Sequence, residues 1–320
     1  MEQPTRRRSA LPMWARILLF IFAVDVVGLM AVFVVSFTFL RPYLHVEDLK
    51  GGLIGSIDYQ PLFLVQLRAN GGDAAAEAEL GRRYLRGRQG VTRDEKQALV
   101  WLQKAADQGN ARGETYLGLM YADGYGIPRD PVTAVEWYRK AAAQNYAPAQ
   151  ANLGLHFFLG RGVARDDAMA LDFFRKAAAQ SDPMAEDYLG IMYERGRGVT
   201  ADPVQALAWY KKSAAQGRAG GECNLGASYL HGIGTPVDYK EAFYWLQKAA
   251  DQGDGRADDL ISTMYGNGWG VPADSDSAAA WEKAAIAAGY HPRPALTNAS
   301  STNAPPSPPP PPTPPTPPTP

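Results

Sequence analysis

Apolar positions along the chain fall into two patterns, one unbroken run near the start and one long-period rhythm through the middle. The run covers residues 17–40, ILLFIFAVDVVGLMAVFVVSFTFL, with Asp25 its one ionisable side chain. About twenty apolar residues cross a bilayer as a helix, so this stretch predicts a transmembrane helix. A cleaved signal peptide would carry a shorter apolar core and an Ala-x-Ala-like site, which the flanking SFTFLRPY lacks. Arg6, Arg7, Arg8 and Arg16 precede the run, against Arg41 and Lys50 after it. The positive-inside bias then places a basic N-terminus, residues 1–16, in the cytoplasm of a single-pass protein of the inner (plasma) membrane. The remainder lies on the periplasmic or extracellular side. A charge inside such a span costs a few kcal/mol (about 2.5–3.5 on insertion scales), which makes Asp25 a candidate intramembrane contact to a neighbouring helix; a protonated, tolerated Asp is the competing reading.

The second pattern is periodic. Trp101, Trp137, Phe173, Trp209, Trp245 and Trp281 stand 36 residues apart. Leu-Gly pairs repeat at the same interval at Leu117-Gly118, Leu153-Gly154, Leu189-Gly190 and Leu225-Gly226, with Leu80-Gly81 one residue further upstream and Ile261-Ser262 replacing the last pair. A period in this range marks a repeat array, and six copies fill residues 74–290. Ala149, Leu153 and Phe157 follow one another at i, i+4 and i+8, the stripe of a helix with one buried face. Gly124, Gly160, Gly196, Gly232 and Gly268 stop this first helix, because glycine takes the left-handed C-terminal conformation without penalty. Asp94, Asp130, Asp166, Asp202, Asp238 and Asp274 then cap a second helix, with Pro131 and Pro203 at its first turn. Its stripe, as in Ala134, Trp137 and Ala141, runs into Lys-Ala-Ala-x-Gln-Gly, a cation near the negative end of the helix dipole.

Composition changes the picture in two places. Twelve of the 25 prolines fall in residues 305–320, and no charge follows Arg293, so residues 291–320 read as a disordered Pro-rich tail. A spacer, a ligand for a proline-reading partner and an inert tail all fit it. Charges nearly cancel, 32 Lys+Arg against 33 Asp+Glu, which predicts no nucleic-acid partner. The single Cys223 excludes a disulfide scaffold and a thiolate metal cluster.

The recurring constellation Ala-x-x-x-Leu-Gly-x-x-Tyr-x-x-Gly-x-Gly-Val-x-x-Asp, followed by Ala-x-x-Trp-x-x-Lys-Ala-Ala-x-x-Gly, resembles the Sel1-like repeat family, a relative of the tetratricopeptide repeats. Asn145 and Ser181 depart from it where the closing glycine belongs, and Ala284 where the lysine belongs. The resemblance implies an all-α chain, an α/α right-handed superhelical solenoid acting as an adaptor for protein complexes, and in bacteria it associates similar proteins with envelope assembly, signalling and host contact. Residues 41–60 are then a stem between anchor and solenoid, and residues 61–73 a capping half-repeat.

Solenoids of this kind bind along their concave face. Counting from the glycine of each Leu-Gly pair, the helical wheel turns positions three before and one, four and five after it away from the core. They place Leu119, Leu155, Phe158, Leu159, Glu194, Arg195, Leu230 and His231 on a candidate protein-binding face. Packing against neighbouring copies is the alternative role for these side chains. The acids at a fixed offset, Glu77, Glu114, Glu186, Glu222 and Asp258, read as first-turn carboxylates serving the helix dipole rather than as a binding ladder.

Chemistry is thin. His45, His156, His231 and His291 sit on separate elements, and the Gly-x-Gly turns lack the strand and the Gly-Lys-Ser/Thr of a phosphate loop. Similar proteins that bind or hydrolyse β-lactams carry paired cysteines, absent from this chain. The expectation is a membrane-anchored scaffold for protein partners without catalytic activity, cofactor or metal. Contact with peptidoglycan or another glycan is the second reading, and a cell-wall or β-lactam hydrolase the third.

Overall fold

The computed structural model describes residues 57–291. The 17–40 span with Asp25, the first part of the stem and the Pro-rich tail lie outside these residues. The chain divides into two compact units at residues 64 and 65. The described part of the first holds a 3-10 turn, Ile57–Tyr59, and the start of helix α1, Leu62–Asn70. The second holds the rest of α1, with Val65 and Ala69 buried, and the six copies.

Each copy is an antiparallel helix pair. The pairs are α2 (Ala74–Arg86) with α3 (Glu95–Asp107), α4 (Ala111–Asp123) with α5 (Pro131–Ala143), and α6 (Ala147–Leu159) with α7 (Asp167–Ala178). They continue as α8 (Pro183–Arg195) with α9 (Pro203–Ala215), α10 (Ala219–His231) with α11 (Tyr239–Asp251), and α12 (Gly255–Asn267) with α13 (Ser275–Ala287). No strand occurs among the described residues, and no helix there is long and apolar enough to cross a membrane. All six second helices start on the expected Asp, whose carboxylate accepts from backbone N–H groups of the first turn. Each first helix ends on a left-handed glycine, Gly87, Gly124, Gly160, Gly196, Gly232 or Gly268. Asn145 and Ser181 adopt the same left-handed conformation as the glycines they replace, at φ 59° and 60°.

The glycine of the Leu-Gly pair exists for its neighbour in space. A Cβ built on Gly190 would lie 2.4 Å from the Tyr210 ring, and one on Gly118 2.8 Å from Tyr138. Gly81, Gly154 and Gly226 meet Leu102, Phe174 and Leu246 in the same way. These large side chains are fully buried, and only a bare Cα lets the second helix come so close. The sixth copy changes both members together: Ser262 replaces glycine and donates its Oγ–H to the Ala278 carbonyl, while an exposed Glu282 replaces the buried ring or leucine.

A second close approach sets the stacking of copies. The latter glycine of each Gly-x-Gly turn lies against the start of the preceding copy's second helix. A Cβ on Gly162 would stand 2.0 Å from the Pro131 carbonyl oxygen, and one on Gly234 2.1 Å from that of Pro203. Between copies three and four, Arg197 reaches back to bond the Asp167 carboxylate and the Phe158 carbonyl, its guanidinium 3.5 Å above the Phe158 ring. Successive first helices touch one another, whereas no comparable contact joins successive second helices. The array therefore curves with its first helices on the inner, concave side.

Candidate protein-binding face

Three rows of first-helix residues reach the concave surface, one residue per copy in each. Five positions after the Leu-Gly glycine stand Arg86, Asp123, Leu159, Arg195, His231 and Asn267, all exposed. One position after it stand Arg82, Leu119, Leu155, Ile191 and Ala227, all half-buried, and an exposed Thr263. Two positions before it stand Tyr116, Asn152, Tyr188, Asn224 and Leu260, also half-buried, with a buried Glu79 at the first place. The rows share one helical face because they differ by three and four residues.

The structure thus places Leu119, Leu155, Leu159, Arg195 and His231 on the expected surface and takes Phe158 and Leu230 out of it. The position four after the glycine points into the seam between copies. Leu230 is 0% exposed, and Phe158, at 7%, packs edge-on against Phe174 and Tyr188 beneath Arg197. Glu194, in the same row, accepts the Tyr210 hydroxyl at 2.8 Å. That burial and the adjacent carboxylate push the Tyr210 phenol far above its usual range. The position three before the glycine is buried in copies one to five and half-buried, as Asp259, in copy six. The wheel missed the row two before the glycine, the one holding Tyr116, Asn152, Tyr188 and Asn224. Its signal was present: those residues lie three positions before the row of Leu119 and Leu155 and seven before the exposed row.

The surface is not uniform. At its start Glu79, with no side-chain exposure, accepts from Arg82 and Arg83 at 2.7 Å and from Arg112 at 3.4 Å, and the Arg86 guanidinium lies 5.7 Å from the Tyr116 ring centre. Leu119, Leu155, Leu159 and Ile191 make an apolar stretch over copies two to four. Beyond it Asp187, nearly buried, accepts from Asn224 at 2.7 Å and Arg218 at 3.3 Å, and Asn224 in turn accepts from Arg256. Burial raises the Asp187 carboxyl, opposed by Arg218 and the Asn224 hydrogen bond. Copy five presents the small Gly220 and Ala227 with Asn224 here, where copy four has Met184, Tyr188 and Ile191, and the exposed His231 stands beside them.

The acids at a fixed offset are structural, by a route other than the helix dipole alone. Glu77, Glu114, Glu186 and Glu222 are buried, and each accepts the side-chain amide of the glutamine closing its own copy: Gln108, Gln144, Gln216 or Gln252, at 2.6–2.8 Å. Lys248 approaches the second oxygen of Glu222 at 3.3 Å. The matching lysines lie over the tryptophans, Lys140 at 3.9 Å from the Trp137 ring centre and Lys212 at 4.0 Å from that of Trp209. In copy three Gln150 accepts from Gln180 at 2.9 Å, and Lys176 pairs with Asp172 instead. Burial raises the carboxyls of Glu77, Glu114 and Glu186 above the ordinary carboxylate value, against the pull of the lysines and glutamines.

Among the described residues no group of His, Cys, Asp or Glu is arranged to hold a metal. The Cys223 thiol is buried and pushed up to about 12 by that burial, the behaviour of a small core hydrophobe rather than a nucleophile. His156 is buried, with Nδ1 2.7 Å from the Arg161 carbonyl.

The Sel1 repeat model matches residues 74–110, 111–146, 147–182, 183–217, 219–254 and 260–290. Among solved structures, a protective antigen of uropathogenic Escherichia coli displaying an SLR fold is 36% identical over 71% of this chain, with a TM-score of 0.56. A Sel1 repeat protein from Oxalobacter formigenes is 34% identical over 67% of this chain and 85% of its own, with a TM-score of 0.60. The chain spans about half, 49%, of the Escherichia coli protein. No curated protein matches it.

Proposed function

Because the chain belongs to the Sel1 repeat family, whose members are generally protein-interaction scaffolds, we propose that it is a membrane-anchored scaffold that holds protein partners along its concave face. The observation that carries this reading is the apolar stretch of Leu119, Leu155, Leu159 and Ile191 on the inner surface, with Leu159 41% exposed although leucine is ordinarily buried. The apolar run at 17–40 supplies the anchor, and the charge bias around it sets the repeats on the periplasmic or extracellular side. No enzymatic step enters this reading, since the buried Cys223 and His156 have structural surroundings.

Photo-crosslinkers placed at Leu155 and Leu159 in the native membrane, followed by mass spectrometry, test it. Defined protein adducts from these positions, absent from positions on the second helices, are expected. Adducts from neither set would overturn the scaffold. A glycan partner would instead show as co-sedimentation with purified sacculi, but the lysines over the tryptophan rings occupy the faces on which a sugar would stack. The topology is tested by labelling single cysteines introduced at residues 5 and 300 with a membrane-impermeant reagent. Labelling at 300 alone in cells with a permeabilised outer envelope is expected.

A further inference from the structure

Resting on the scaffold reading, we infer that the concave face selects an extended peptide segment with an apolar centre and an acidic residue at each end. On its three rows the exposed or half-buried residues of copies two to four are mostly apolar or aromatic, Asp123, Asn152 and Arg195 excepted, and the charges across the face are mainly basic. Arg86 in copy one and Arg195 in copy four bracket the apolar stretch, both exposed. Neither makes an ion pair among the described residues, and Arg86 only leans over Tyr116. Asp123 is the one exposed acid on the same rows, because Glu79 is buried within its own arginine cluster; Asp187, one position off these rows, is likewise buried and paired with Arg218. The part of the chain beyond the apolar run is slightly acidic overall, so a basic excess on this face is a local property of the inner surface.

Geometry fixes the length. First helices packed side by side are about 8–10 Å apart, so the three steps from copy one to copy four cover about 24–30 Å. An extended chain rises about 3.3 Å per residue, which sets the two acids about seven to nine positions apart. The floor suits a strand-like ligand rather than a helix. Along it Asn152, whose amide donates to the Pro148 carbonyl at 2.8 Å, turns its side-chain oxygen to a peptide N–H, and the flanking Tyr116 and Tyr188 rings take side chains. A charge-matched ligand gains both in encounter rate and in discrimination against the wrong partner.

Binding of fluorescent peptides to the full chain in detergent micelles, followed by anisotropy, tests the inference. One peptide carries Asp at both ends of an eight-residue Leu/Ser alternation, a second carries Lys at both ends, and a third has the two Asp in the middle. The first is expected to bind about tenfold more tightly than either of the others, and the Arg86→Glu, Arg195→Glu double variant to reverse the preference in favour of the Lys peptide. Leu155→Asp should weaken all three, with the helical circular dichroism and melting midpoint of each variant checked against the parent. Equal affinities for the three peptides, or a preference that survives the double charge reversal in a folded variant, would overturn the inference. The scaffold reading fails separately, by the absence of crosslinked protein adducts from Leu155 and Leu159; adducts with no peptide preference would retain the scaffold and remove this ligand.

Discussion

A methyl group added at Gly190 would stand 2.4 Å from the Tyr210 ring, nearer than any unstrained carbon contact, so Gly190→Ala should lower stability by about 1–3 kcal/mol, the usual range for overpacking. Gly217, with nothing within 4 Å of its Cβ position, is the control: Gly217→Ala should cost roughly 1 kcal/mol, from its positive φ alone. Urea unfolding midpoints of the two variants check the difference, and Tyr210→Leu should recover part of the Gly190→Ala loss. The buried acids give a second test. Burial raises the Glu186 carboxyl above its ordinary 4.5, so the folded chain holds that proton more tightly than the unfolded one. The stabilising contribution of the protonated form is complete below the ordinary value and is lost as pH rises through the raised one. Glu186→Gln should therefore flatten the gain in stability on acidification while leaving the neutral-pH midpoint equal or higher, since Gln150 with Gln180 already makes the equivalent amide pair in copy three. Thermal melts between pH 4 and 7 read this directly; an unaltered profile would assign the pH response to other groups. From sequence, the Leu-Gly glycine showed only as a small residue allowing close approach; that it faces the residue about twenty positions on needs the second helix in place.

At the scale of the helix and its turn, the local code was almost wholly legible. Asp caps, left-handed glycines and the 36-residue rhythm act within a few residues of themselves, so the order and type of the elements followed from local chemistry. The side-chain rows of the first helix were legible only in part, because which row meets solvent depends on how one copy leans on the next. Phe158 shows this: on an isolated wheel it shares the outer arc with Leu155 and Leu159, and the stacking of copy four, through Tyr188 and Arg197, covers it. Arg197 itself gave no signal, since its bonds to Asp167 and Phe158 cross 30 and 39 residues. Removing it tests how much of the inter-copy seam depends on that one side chain. Arg197→Ala should cost about 2 kcal/mol, the scale of hydrogen bonds to charged groups, and should raise amide exchange in the turn between α8 and α9 more than in copies one or six. The acidic side of the pair points the same way: the Arg197 hydrogen bond, with help from Arg165, holds the Asp167 carboxyl well below the usual carboxylate range.

Across the whole array, each copy touches its neighbours and little else, so stability adds up from repeats and seams rather than from one core. The last copy closes the series by changing two residues at once. Glu282 stands on the terminal helix where inner copies bury Leu, Tyr or Phe, and Ser262 no longer leaves room for such a ring. Restoring the inner pattern with Ser262→Gly and Glu282→Tyr should leave an apolar end face and produce concentration-dependent association of the full chain in detergent, measured by sedimentation velocity. A monodisperse double variant would show that Glu282 does not guard that end. The glycine seated on the Pro131 carbonyl has a mechanical counterpart. A seam made of backbone against backbone, repeated without long-range ties, gives way one unit at a time under load. A tug on one end would pay out the chain in increments of a single copy, about 120 Å of extended length for 36 residues. The array would stretch as a graded tether where a globular domain of the same size would rupture at once.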